Sequence, residues 1–232
     1  MDKLLSDDGC PWDIKQTHES LRQYLLEETY EAIDAINKGD MASLCEELGD
    51  ILLEVVFHSK LAEKLNQFTI DDVVHGISIK MINRHRHVFG DLKAVTPEEV
   101  LSSWDKIKNE EKGYRNTADK MRTVPKILPS LLRAEKVLKY SGMDEHITLK
   151  DLNDTSILIN ELCKAIPEGE ITQMKIKASV EEEIGMLLFH VVRICRFFKI
   201  NPEFALTNAL ETYITRFEYG ENPVNSGFAA IN

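Results

Sequence analysis

Four carboxylates near the start of the chain, Glu28, Glu31, Glu47 and Asp50, are spaced so that two helices would gather them onto one surface. Counting about 100° per residue along 17–37, Leu21, Leu25, Ala32, Ala35 and Ile36 form one stripe, with Glu28 inside it, Glu31 at its edge and Glu27 pointing further out. A carboxylate on an apolar face is costly to bury alone and needs a cation or hydrogen-bond donors. Along 41–65 the same count puts Glu47 on the face of Leu44, Ile51, Val55 and Ala62, with Asp50 beside it. The link Asn37-Lys38-Gly39-Asp40 is short and turn-rich, which favours antiparallel neighbours. Folded about Gly39, position 28 comes level with 50 and position 31 with 47. Four negative charges at that spacing repel unless cations are bound, and an all-oxygen ligand set suits Mg²⁺ or Mn²⁺ rather than zinc. Such ions are the usual means of binding and activating phosphate esters.

The elements that must position these residues are helical, since 3.6-residue periodicity recurs between Gly, Pro and Asn punctuation and strand signals are scarce. The pattern predicts helices over 17–37, 41–65, 70–87, 97–112, 128–141, 150–165, 179–198 and 202–218. Thr69 followed by Asp72, and Thr96 before Pro97, mark two helix starts. Gly113, Asn116, Pro125 and Pro129 interrupt 113–129, so that 113–128 reads as a linker, and 220–232 lacks an apolar face and reads as a fraying tail.

Bulk properties narrow the function classes. With 43% hydrophobic residues in 232, the chain can bury a core. Its net charge of −11 opposes unspecific attraction to a nucleic-acid backbone. Cys10, Cys45, Cys163 and Cys195 form no C-x-x-C pair, so the reading is a reduced, cytoplasmic protein without zinc. The acidic N-terminus has no apolar leader, and no apolar run approaches a membrane span.

An internal repeat is visible: Glu46-Glu47-Leu48-Gly49-Asp50-Ile51-Leu52-Leu53 matches Glu182-Glu183-Ile184-Gly185-Met186-Leu187-Leu188-Phe189. The pattern Glu27-Glu28-x-x-Glu31 with Glu47-x-x-Asp50 resembles the signature of the MazG nucleotide pyrophosphohydrolases. Gly9-Cys10-Pro11-Trp12-Asp13, Arg84-His85-Arg86-His87-Val88-Phe89 and Trp104-x-x-Ile107-Lys108 resemble the long, two-repeat members. The resemblance implies an all-α protein of two tandem helical-bundle units, assembled as a homodimer. It also implies divalent metal on Glu28, Glu31, Glu47 and Asp50, and hydrolysis of nucleoside triphosphates to monophosphate and pyrophosphate. On this reading 1–112 is the catalytic unit and 129–219 a degenerate copy, because Met186 stands at the Asp50 position and Asn160, Glu161 and Lys164 at those of Glu27, Glu28 and Glu31. It also implies more helix before the Gly9 segment than this chain carries.

Triphosphate hydrolysis leaves charge on oxygen that metal alone need not neutralise, so nearby cations are expected. Lys80 and Arg84, one turn apart, match the family's K-x-x-x-R pattern; Lys108 and Trp104 are further substrate-binding candidates, and Glu27 a candidate base or outer-shell partner. Trp12 and Trp104 read first as packing residues, His58 as a core histidine, and His85 with His87 as helix C-terminal residues rather than a metal pair. No Ser or Cys nucleophile has an evident base, and no Gly-rich phosphate loop is present. The competing readings are a non-catalytic helical module that senses nucleotides or binds a protein, and a narrower deoxynucleotide pyrophosphohydrolase.

Overall fold

The computed structural model of the chain describes residues 1–91, 96–142, 153, 155–160, 162 and 173–219. The protein is all-α, with no strand among the described residues. It divides into two compact units, Met1–Glu111 and Lys112–Asn232.

The first unit is built on a helical hairpin. A single 3-10 turn, Asp13–Lys15, precedes α1 (His18–Lys38), which Thr17 and Ser20 start by capping each other's backbone N–H. α1 stops at Gly39, whose φ of +69° lies in the left-handed region, and whose N–H reaches back to the Ala35 and Ile36 carbonyls. Asp40 at once caps α2 (Met41–Lys64), its carboxylate accepting from the N–H groups of Ala42 and Ser43. Only two residues separate the helices, so they pack side by side along their length. Leu21, Ala32 and Ala35 of α1 are buried, as are Phe57 and Ala62 of α2. Leu5, Leu21 and Phe57 form the apolar centre, with Met1, Tyr24 and Leu61 against it. Ile36, placed in the same stripe by counting, is exposed at the tip of the hairpin.

α3 (Ile70–Arg84) begins at the reciprocal Thr69–Asp72 cap. The helix expected to run to 87 breaks at His85, and a single turn, α4 (Arg86–Phe89), follows. At the break the backbone N–H and the ring Nδ1 of His85 both lie on the Met81 carbonyl, at 3.1 and 2.7 Å, while the ring packs edge-on against Trp104. α5 (Pro97–Lys112) opens with proline, and Thr96 and Glu99 cap each other.

The second unit contains α6 (Thr117–Arg122), α7 (Ser130–Ser141), α8 (Gln173–Phe197) and α9 (Pro202–Glu218). α6 lies within the stretch 113–128 and is nucleated by Asn116, which accepts from the Asp119 N–H. α7 packs against α6, α8 and α9, and Leu138 of α7 and Val192 of α8 are the deepest described residues of this unit. α8 starts six residues before the expected 179. Half of the expected helix 150–165 lies outside the described residues, and the described part, 153, 155–160 and 162, is helical. Among the described residues, no helix is long and apolar enough to cross a membrane.

Candidate active site

The hairpin sets the geometry. Glu28 on α1 and Glu47 and Asp50 on α2 each present a carboxylate oxygen within 4.8 Å of the other two, and all three are half-buried. Glu31 is exposed and stands outside this trio. It faces Glu47 across a cleft of about 290 Å³, which Asp34, Ala35, Lys38, Asp40 and Ser43 also line. Lys38 in that cleft is paired with Asp34 at 2.5 Å.

Partial burial, then the negative charges of Asp50, Glu31, Glu47 and Glu27, hold the Glu28 carboxyl above the ordinary carboxylate range. Glu47 is raised in the same way, by desolvation and then by Glu31, Glu46 and Asp50, with a hydrogen bond to Glu28 acting in the opposite direction. Every charge that perturbs these two groups is another carboxylate. A cluster of this kind is short of positive charge, and its hard oxygen donors match a hard divalent cation. Glu27 is exposed and contributes the last and smallest repulsion on Glu28.

The expected cations lie on α3 and α5. Lys80 is exposed on α3. Arg84 is 7% exposed, so it is not on a solvated helical face. Its Nε and Nη2 donate to Glu111 Oε2 of α5 at 3.1 and 2.5 Å, and its guanidinium carbon lies 5.2 Å from the centre of the Trp104 ring. Trp104, half-buried on α5, therefore packs with Arg84 of α3, while Lys108 is half-buried one turn further along α5. His85 and His87 have tilted rings 5.6 Å apart, with His85 seated on Trp104. Trp12, half exposed, meets Tyr24 edge-on.

Sequence counting passed over three residues. Glu111 was one; its partner lies 27 positions away, and no local spacing points to it. The others surround His58, whose Nδ1 lies 2.7 Å from that of His18, the rings tilted by only 2°. An N–H on one ring thus points at the lone pair of the other. Glu54, 7% exposed, approaches His58 Nε2 at 3.9 Å, and its Oε2 has no hydrogen-bond partner. Burial raises the Glu54 carboxyl and lowers His58, favouring the neutral form of each. Glu54 sits one turn beyond Asp50 on the same face of α2, a spacing visible in the sequence.

Comparison with known proteins agrees with this architecture. The profile of the MazG nucleotide pyrophosphohydrolase domain matches residues 16–89, which hold the whole carboxylate cluster. The chain is 38% identical over 218 residues to the nucleoside triphosphate pyrophosphohydrolase/pyrophosphatase MazG of Thermotoga maritima, covering 94% of this chain and 81% of that protein. It is 36% identical over 221 residues to the nucleoside triphosphate pyrophosphohydrolase of Escherichia coli, covering 94% and 82%. It is also 41% identical over 221 residues to the uncharacterized protein YabN of Bacillus subtilis, of which it spans 44%.

Proposed function

The chain belongs to the MazG family of nucleoside triphosphate pyrophosphohydrolases, and from that premise we propose that Glu28, Glu31, Glu47 and Asp50 form its catalytic metal site. The reaction is hydrolysis of a nucleoside triphosphate by water, giving nucleoside monophosphate and pyrophosphate. The observation that carries the reading is the convergence of Glu28, Glu47 and Asp50 oxygens within 4.8 Å, with Glu31 beside Glu47.

Mg²⁺, or Mn²⁺ in its place, is the group these residues would hold. When bound it supplies positive charge against the phosphate oxygens and Lewis-acid polarisation at phosphorus. The hairpin does the rest of the positioning. Its two caps fix the register that sets α1 carboxylates opposite α2 carboxylates, and the apolar stripe below excludes water from one side. Glu27, outside the cluster but next to Glu28, is the candidate to take the proton from attacking water. Lys80 and Arg84 would neutralise charge developing on the phosphate chain, and Trp104, which packs on Arg84, and Lys108 would contact the remainder of the nucleotide.

The active form is a homodimer on this reading. α3 leaves Val73, Val74, Ile77, Ile79 and Ile82 exposed within its own chain, spread around most of the helix, apolar surface of the kind that a second copy covers. The second unit is a degenerate copy without the metal set, and Cys10, Cys45 and Cys195, free thiols among the described residues, fit a cytoplasmic protein.

Titration with Mn²⁺ in the absence of nucleotide, followed by electron paramagnetic resonance, tests the metal site. Wild-type protein should bind the ion, and Asp50→Ala should bind at least about tenfold more weakly. Equal binding by both would overturn the assignment.

A further inference from the structure

The buried guanidinium of Arg84 carries one inference further, and it rests on the reading of Lys80 and Arg84 as phosphate-binding cations. Arg84 uses its Nε–Nη2 edge on a single oxygen of Glu111, at 3.1 and 2.5 Å. That edge is the fork with which arginine also grips phosphate. Trp104 covers the guanidinium at 5.2 Å, and His85 holds Trp104 edge-on at 4.9 Å. The position of Arg84 is therefore fixed by packing, while its best donors are already taken.

We infer that Glu111 is a specificity-determining residue: it occupies the phosphate-binding edge of Arg84 and yields it only to a polyphosphate. The Glu111 side chain is 33% exposed against 7% for Arg84, so the carboxylate is the partner that can swing into water. Arg84 cannot be left buried and unpaired without a large penalty, so the exchange requires an incoming anion. A monophosphate offers one anionic group, which must displace Glu111 unaided. A triphosphate also reaches Lys80, exposed one turn earlier on α3 and therefore a neighbour on the helix surface. Its additional contacts offset the cost of releasing Glu111. Substrate is thus admitted and the nucleoside monophosphate product is not retained.

The test compares wild type with Glu111→Gln and Glu111→Asp for the KM of a nucleoside triphosphate and the inhibition constant of its monophosphate product, with melting temperature as the folding control. Glu111→Gln keeps the shape and removes the competing charge. Its monophosphate inhibition constant should fall about tenfold, more than its KM falls, while Glu111→Asp keeps wild-type discrimination. A joint rise of KM and inhibition constant in Glu111→Gln would mean that Glu111 only ties α5 to α3, and would overturn the inference, as would no change in either. Calorimetry with inorganic tripolyphosphate and with orthophosphate reads the same selectivity without turnover. An absence of pyrophosphate release by wild type would therefore count against the proposed function, while the calorimetric comparison would still decide the role of Glu111.

Discussion

Glu28 and Glu47 are destabilising in the metal-free protein and useful because of it. Both carboxyls take up a proton more readily in the folded chain than in an unfolded one, chiefly through desolvation and then through their carboxylate neighbours. Protonation therefore favours the folded state. The stability they contribute is present below the ordinary carboxylate value and is lost as pH rises through their raised values. In chelator, the melting temperature should rise as pH is lowered from neutrality into the raised range of these two carboxyls. Further acidification reverses the trend, because Asp40 and Asp72 are held below the ordinary value by the N–H groups they cap. The double variant Glu28→Gln/Glu47→Gln should lose that rise. A wild-type slope of the opposite sign in the same window would refute this account of the cluster. The carboxylates were legible as a group because helix periodicity and hairpin symmetry are local properties. The environment of Arg84 was not, since its burial depends on Glu111 and Trp104 arriving from α5.

At the scale of elements, the site depends on where α1 stops. Gly39 holds φ +69°, and a Cβ there would meet nothing within 4 Å, so substitution strains the backbone without a clash. Gly39→Ala should cost about 1–2 kcal/mol, and Gly39→Asn less, because asparagine tolerates the left-handed region. Chemical denaturation measures both. If alanine costs no more than asparagine, the cap does not set the hairpin as described. Two helix starts were readable from the Thr69–Asp72 and Thr96–Pro97 signals, which act through neighbouring residues. The break at His85 was not readable, since neither Gly nor Pro stands there and the ring is held by Met81 and Trp104. The α6 turn was masked by Pro and Gly on either side of Asn116 and its cap.

For the whole molecule, the exposed apolar residues of α3 predict association. Size-exclusion with light scattering should give twice 26.5 kDa, and Ile77→Glu should give a monomer with little turnover. A wild-type monomer that turns over at full rate would exclude the dimer. The helical class and the family were legible because motif and periodicity run through most of the chain. The exposure of apolar residues on α3 was not, since it depends on which elements the fold packs against that helix. The most direct test of the central claim is to incubate the protein with a nucleoside triphosphate and Mg²⁺ and identify both products, with and without chelator. The account predicts nucleoside monophosphate and pyrophosphate in equal amounts, none in chelator, and a loss of more than about 100-fold in Asp50→Ala. Release of orthophosphate with nucleoside diphosphate, or full turnover by Asp50→Ala, would contradict it.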